Sequence, residues 1–459
     1  MASDKEHTGA TGEAPDDGLH AGLTLIRAGE PAAALAPLGR FLSVRPDHTL
    51  ARYAFGAAQL RAGCPAAALT SFDLLLESKP HHEGAALGRG LALQALGDRE
   101  TALNVFRTLT ASNPLSWRAW NSVADLSPDE AERTIAIDAA AEALACLCRD
   151  TDRPRWRLDA AAQALMAARR PGDAAALFSG RAGRVSGAPM ASLQLARALY
   201  QDGRFAEAYA EACRLLGALP EPAAAGRQPH TFHPGAATRA LIDILDILSA
   251  AGITAFLAAG TLLGFHRNAG PLAHDRDLDI GVIREASGGP DIAGVLRTHA
   301  ALFLPRPARP GDRYFGIRHR GVAIDIFVHD ADERHVTFGV SDLPGDIQWR
   351  LPAFGLAQAG YGGRTWTVPG QAEGYLAALY GASWRTPDQV FASAVSSPAL
   401  FGTDCHVRAY YAAMRARAAL LAGDRKKAAG LLRQSPLPLS CSSPSIVLPR
   451  WAGPDLGDS

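Results

Sequence analysis

The chain has 459 residues, 48% of them apolar and 20% charged, which gives room for two or three domains and excludes global disorder. Lys+Arg and Asp+Glu both total 46, so no overall basic field exists to hold nucleic acid or an anionic membrane. Six cysteines stand at 64, 146, 148, 213, 405 and 441. Their one close pair, Cys146-x-Cys148, is too tight for a Cys-x-x-Cys zinc or redox motif, so they read as reduced thiols of a cytoplasmic protein.

Residues 1–17 are rich in Gly, Asp and Glu and lack an apolar core. They read as a disordered leader and not a signal peptide. From 18 to 218 a repeat dominates. Pro46, Pro80 and Pro114 are spaced 34 residues apart, as are Gly29, Gly63 and Gly97, and Ala34, Ala68 and Ala102. Leu38, Phe72 and Phe106 keep the same step, and so do Gly56 and Gly90. Each unit reads as two amphipathic helices, with a small residue for close approach in the first and a glycine turn between them. The period resembles the tetratricopeptide repeat, clean to about 125 and degenerate to 216, where GDAAALF (172–178) and GRFAEAY (203–209) look like further second helices. Such arrays bind a protein partner or support a neighbouring domain. Trp117 and Trp120 read as inter-repeat core.

Residues 219–234, LPEPAAAGRQPHTFHP, read as a linker. Beyond it, over 235–402, β-like runs such as LDIGVI and VAIDIFVHD alternate with helices, which predicts an α/β (α+β) domain. The longest apolar stretch, 240–265, is broken by Asp243, Asp246 and three glycines, against a transmembrane segment.

The chemistry concentrates between 256 and 283. Gly260-Thr261-Leu262-Leu263-Gly264 follows a short strand and suits a loop whose N–H groups face phosphate. Asp275, Asp277 and Asp279 alternate with Arg276 and Leu278, so an extended strand turns all three carboxylates to one face. Three like charges need a cation, and oxygen-only ligands favour Mg²⁺ or Mn²⁺ bridging to substrate phosphate. Asp325, inside VAIDIF, would join from a neighbouring strand, unless it pairs with Arg313, Arg318 or Arg320. Those three arginines either grip a diphosphate or face water.

The Gly-x-x-x-Gly turn, acidic strand and later strand Asp resemble the nucleotidyltransferase fold, and within it the LicD/fukutin-related phosphotransferase family. GTLLG at 260–264, Arg267, the Asp275–Asp279 strand, Asp325 and the block Val368-Pro369, Tyr375-Leu376, Tyr380-Gly381-x-x-Trp384-x-x-Pro387 occur in that family's order. Ala273-His274 stands where the family has Pro-Trp. The resemblance implies transfer of a phospho-substituent, phosphocholine or an alditol phosphate, from a CDP-activated donor to a hydroxyl of a cell-surface glycan or glycolipid precursor, as in lipopolysaccharide modification. On that basis Asp275, Asp277, Asp279 and Asp325 are the catalytic and metal-binding residues, with Asp275 either ligand or base. Gly260, Thr261, Gly264, Arg267, His274 and Arg318 bind substrate. The Tyr380–Trp384 block reads as a helix end and its packing. The alternatives are an NTP-dependent nucleotidyltransferase and an inactive repeat-scaffold adaptor. No nucleic-acid partner is implied, and the expected location is the cytoplasm, free or peripheral at the inner membrane face.

Residues 403–433 read as a helical hairpin, because Gly423-Asp424-Arg425 echoes Gly97-Asp98-Arg99, and 434–459 as an irregular Pro/Ser-rich tail. The fold predicted overall is a tetratricopeptide-like solenoid followed by a nucleotidyltransferase-fold domain.

Overall fold

The structure, a computed structural model, describes residues 15–148, 155–179, 189–219, 232–273, 275–284, 289–299 and 301–438. The linker apart from its ends, His274 and most of the tail therefore lie outside the described residues. The chain divides into two units, Met1–Asp150 and Thr151–Ser459.

The first unit is all-helical: α1 (Pro15–Ala28), α2 (Pro31–Val44), α3 (Thr49–Arg61), α4 (Pro65–Ser78), α5 (Glu83–Ala95), α6 (Arg99–Ser112), α7 (Trp117–Leu126) and α8 (Glu130–Leu147). The 34-residue step is visible in its packing. Phe72 of α4 and Phe106 of α6 are buried. Each ring fills the space over a glycine of the preceding helix, where a Cβ would come within 2.9 Å of Phe72 at Gly56 and 2.5 Å of Phe106 at Gly90. Helix starts repeat at the same interval. The His48 and His82 Nδ1 atoms accept the Ala51 and Ala85 N–H groups at 3.2 and 3.0 Å, the work usually done by Ser, Thr, Asp or Asn. Phe106→Ala removes a ring that no neighbour can replace. It is expected to destabilise this unit by about 3–5 kcal/mol, read from its thermal or denaturant unfolding transition.

The second unit opens with α9 (Arg155–Ala167), α10 (Pro171–Ser179), α11 (Pro189–Gln201) and α12 (Phe205–Gly217). The α/β region follows: α13 (Pro234–Ala250), β1 (Ala255–Leu257), α14 (Ala259–Asn268), β2 (Asp277–Ile283), α15 (Ile292–Thr298), β3 (Tyr314–His319), β4 (Val322–Ala331), β5 (His335–Gly339), β6 (Gln348–Pro352), β7 (Leu356–Tyr361), β8 (Arg364–Pro369), α16 (Ala372–Tyr380) and α17 (Ser393–Ser396). The chain ends in α18 (Cys405–Leu421) and α19 (Arg425–Arg433).

The main sheet has the order β1-β2-β4-β5-β6, with β3 added beside β4, and β7–β8 form a separate hairpin. Among the described strands only β2 and β4 run parallel, with Asp279 opposite Asp325 and Gly281 opposite Phe327. Side chains alternate across a strand, so Leu278, Ile280, Val282, Ile324, Ile326 and Val328 share the other face, and all six are buried. There His319 of β3 meets Asp243 of α13 at 2.9 Å. The β3–β4 hairpin turns on Arg320 and Gly321, both with positive φ.

The last helices pack against α12. Leu216, Val395, Ala412, Ala416, Leu420 and Leu431 belong to one buried cluster joining α12, α17, α18 and α19. The turn after α9 is also tied to the α/β region, since the Arg169 guanidinium spans both carboxylate oxygens of Asp312 at 2.5 and 2.6 Å. No described helix is long and apolar enough to cross a membrane. Cys64, Cys146 and Cys405 are free thiols.

Candidate active site

Asp277 and Asp279 are the first and third residues of β2, and Asp325 lies level with Asp279 on β4. Strand alternation puts all three on one face of the sheet. Asp275 lies ahead of β2 in non-regular chain. This corrects the expectation of a single strand carrying all three acidic residues, for which the observed β2 starts too late. Asp275 is nevertheless near enough for its charge to raise the Asp279 carboxyl.

The acidic residues are held by groups from α14 and β3, and α16 supports the start of α14. The Gly260 N–H donates to Asp279 Oδ2 at 2.7 Å, and the Asp279 N–H donates to Thr261 Oγ1 at 2.7 Å. The Tyr314 hydroxyl of β3 donates to Asp325 Oδ1 at 2.8 Å. The Tyr375 hydroxyl of α16 accepts the Ala259 N–H at 3.3 Å. Burial raises the pKa of both the Tyr375 and Tyr380 hydroxyls and the Asp279 charge adds to it, with the Ala259 hydrogen bond opposing the shift at Tyr375.

Gly260–Gly264 therefore forms the opening turns of α14, not a phosphate loop. Ala258 is extended and Ala259 takes φ +37°, a left-handed conformation that costs a non-glycine residue energy and turns the chain sharply into the helix. The reversal aims the Gly260 N–H at Asp279. A Cβ at Gly260 would sit 2.9 Å from Asp279 Oδ2. Gly260→Ala displaces that oxygen and is expected to weaken Mg²⁺ affinity by roughly 10- to 100-fold, the range for losing a partner of a metal-ligating group; calorimetric titration with Mg²⁺ checks it.

Electrostatics mark the cluster. Burial, then the neighbouring Asp277 charge, pushes Asp275 up to about 7. Burial raises Asp325 to about 6, against the opposing Tyr314 hydrogen bond. Asp279 is held well above the carboxylate range by burial, Asp277 and Asp325. Asp277 is raised by burial, and the positive charges of Arg415 and Arg276 oppose the shift. Four desolvated carboxylates form a donor set that fits a hard divalent cation, with no nitrogen or sulfur ligand beside them among the described residues to favour zinc.

The geometry is open. Among the described residues the trio of ligand-type side chains with donor atoms within 4.8 Å of one another is Asp404–Cys405–His406, at the start of α18. Helix capping accounts for that trio: Asp404 Oδ1 accepts the His406 N–H at 2.7 Å. The acidic face does not meet the distance, so closing three of its carboxylates on one ion takes side-chain rotation.

The expected phosphate grips are otherwise engaged. Arg267 donates to the Trp384 carbonyl, and to that of Thr386 at 3.2 Å, so it clamps the Tyr380–Trp384 block beside α14. Arg318 shares the acidic face, two register steps from Asp325, but donates to the Gly321 carbonyl at 2.8 Å. Arg313 meets Asp330 at 3.2 Å and Arg320 binds Asp243, so none of the three arginines pairs with Asp325. Gly264 is buried inside α14. His274 lies outside the described residues. A cavity of about 650 Å³, lined by Ile253, Val282, Pro290, Phe315 and Val328 among others, opens at the far end of β2 on the opposite face and takes no part in the acidic cluster.

Sequence reasoning missed Tyr314, Tyr375 and Tyr380. A tyrosine among apolar residues carries no sign of which way its hydroxyl points. The one available hint was that the Tyr375 and Tyr380 block recurred in family order.

Comparison with known proteins agrees with the two-part organisation. The model of the family described as "LicD/FKTN/FKRP, nucleotidyltransferase domain" matches residues 252–298, which span β1, α14, β2 and α15. A tetratricopeptide-repeat model matches 19–83 and 87–127. The chain thus carries tetratricopeptide repeats followed by a match to a LicD-type domain, in the expected order, and the LicD-type match over 252–298 points to transferase-type chemistry. No curated protein matches the chain. Among solved structures, a thermophilic tetratricopeptide protein of Thermus thermophilus is 22% identical, covers 41% of this chain and 100% of its own, and has a TM-score of 0.32. A tetratricopeptide repeat protein of Parabacteroides merdae is 17% identical over 46% of this chain and 82% of its own, with a TM-score of 0.31.

Proposed function

We propose that the second unit transfers a phospho-substituent, of phosphocholine or alditol-phosphate type, from a CDP-activated donor to a hydroxyl of a cell-surface glycan or glycolipid precursor. The observation that carries this reading is the set Asp277, Asp279 and Asp325, co-facial on two parallel strands and driven up in pKa by burial, with carboxylate repulsion adding at Asp279 and Asp325. These residues would hold a divalent cation, whose chemistry there is neutralisation of the donor pyrophosphate. Asp275, with a pKa of about 7, suits a base at neutral pH. In that role it takes the acceptor hydroxyl proton as the acceptor oxygen bonds to the distal phosphorus and the P–O bond to CMP breaks. The Gly260 and Tyr314 hydrogen bonds keep two of the carboxylates oriented, so the site acts by positioning and charge neutralisation. The repeats fit a role in partner or acceptor presentation.

Calorimetric titration of the full chain with CDP-choline, CDP-glycerol, CDP-ribitol, CTP and ATP, with and without Mg²⁺, tests the reading. Mg²⁺-dependent binding of one CDP-linked donor supports it. Preference for a free NTP favours a nucleotidyltransferase instead, and no nucleotide binding by the folded chain removes both.

A further inference from the structure

A carboxylate-lined site has acceptors in excess and is short of hydrogen-bond donors. Several donors around the acidic face are already spent. The Gly260 N–H goes to Asp279 and the Tyr314 hydroxyl to Asp325. Arg267 is committed to the Trp384 and Thr386 carbonyls, and Arg318 to that of Gly321. A divalent ion on the carboxylates neutralises charge, yet a phosphate bound there still needs donors for its remaining oxygens.

Tyr380, the last residue of α16, is placed differently. A Cβ at Gly260 would lie 2.9 Å from Asp279 Oδ2 and 3.9 Å from the Tyr380 hydroxyl oxygen. Carboxylate and phenol therefore border the same small space, which glycine leaves open. Tyr375, on the same helix, spends its hydroxyl on the Ala259 N–H. The Tyr380 hydroxyl has no hydrogen bond among the described residues, and the residue keeps some exposure to solvent. Packing accounts for the ring and not for the hydroxyl, since phenylalanine would fill the same space without setting an unpaired polar group beside Asp279.

The fold fixes where that hydroxyl stands. Tyr375 ties α16 to the start of α14 at 3.3 Å. Beyond the helix end, Arg267 ties the Trp384 and Thr386 carbonyls to the last turn of α14. Gly381, at φ +89°, turns the chain between these two attachments, and its carbonyl accepts the Trp384 N–H at 3.1 Å. The Tyr380 ring itself packs on Phe391, with centroids 5.1 Å apart. The phenol is thus held in place before anything binds, which lowers the entropy cost of using it.

Resting on the function proposed above, we infer that Tyr380 is a phosphate-binding residue of the acidic site, its hydroxyl donating to an oxygen of the nucleotide diphosphate beside Asp279. A phenol is protonated at neutral pH and supplies that donor without adding a charge.

The test is calorimetric titration of the full chain with CDP plus Mg²⁺, and separately with Mn²⁺ alone, for wild type, Tyr380→Phe and Asp279→Asn, with a melting curve of each. Tyr380→Phe keeps the ring and its contact with Phe391 and removes the hydroxyl alone. Losing a hydrogen bond to a charged phosphate predicts roughly 10- to 100-fold weaker CDP binding in that variant. Its Mn²⁺ affinity and melting temperature stay at the wild-type level, because the hydroxyl holds neither a carboxylate nor the fold. CDP binding within about twofold of wild type, while Asp279→Asn loses it, overturns the Tyr380 role and leaves the active-site reading standing. Weaker Mn²⁺ binding in Tyr380→Phe also overturns it, since the hydroxyl then orients a metal-binding carboxylate and not the phosphate. A fall in melting temperature overturns it as well, for the hydroxyl then has a structural partner. If the wild type itself binds no CDP with Mg²⁺, the functional reading falls and takes this inference with it.

Discussion

On the proposed function, Asp279→Asn is expected to abolish Mg²⁺-dependent donor binding while leaving the metal-free protein more stable than the wild type. Asp279 is the most constrained carboxylate of the cluster. Burial, Asp277 and Asp325 all oppose its ionisation, and the Gly260 N–H alone offsets them. Asparagine keeps an oxygen for that N–H at the same size and carries no charge, so repulsion falls and no hydrogen bond is lost. A gain of about 1 kcal/mol corresponds to a rise of roughly 2–4 °C in the melting temperature of a domain of this size. Loss of a ligand weakens Mg²⁺ by more than roughly 100-fold, because disturbing an outer partner already costs 10- to 100-fold. Opposite movements of stability and binding are the signature of a functional carboxylate. A structural Asp279 would instead lose both, and a fall in melting temperature together with unchanged Mg²⁺ binding sinks the assignment.

The second large effect is on pH. Asp275 and Asp325 have folded pKa values of about 7 and about 6, above the unfolded value near 4. Raised groups contribute stability that is fully present below the unfolded pKa and is lost as pH climbs through the folded pKa. The metal-free protein therefore weakens between about pH 4 and pH 7 on account of these carboxylates. His329 acts in the opposite sense. Burial lowers it to about 4, so its contribution is present above the unfolded value near 6.5 and is lost as pH falls. His329 is the same with or without metal and cancels in a difference. Melting curves at pH 5 and pH 8, with and without Mg²⁺, isolate the carboxylates. The Mg²⁺-induced rise in melting temperature is expected to be several degrees larger at pH 8, where the ion no longer competes with protons. An equal rise at both pH values, or none, means that these groups hold no metal.

What could be read directly from residues was whatever depends on neighbours within one or two helical turns, or on a period. The 34-residue step needs no knowledge of the partner helix, because each Gly56–Phe72 or Gly90–Phe106 pair repeats the same local solution. Asp277 and Asp279 could be assigned to one face because alternation is a property of any extended chain. The GTLLG segment was recognisable as special, yet its conformation was not: a short apolar run with two glycines suits a loop or a helix, and the sharp turn at Ala259 settled it. Arg267 shows the same limit, since a guanidinium placed by motif beside phosphate donates in the structure to carbonyls 117 and 119 residues later.

The amino-acid sequence by itself determined the repeat array, the α/β region behind it and the three acidic residues of β2 and β4. These follow from composition, period and alternation, which act over short stretches of chain. Only the tertiary structure decided which groups hold those carboxylates. The parallel register sets Asp325 level with Asp279, and α16 brings Tyr375 to a backbone 116 residues away. No local pattern encodes these meetings. They arise when elements far apart in sequence bury their apolar faces together, and the polar side chains on the opposite faces are carried to wherever that packing leaves them.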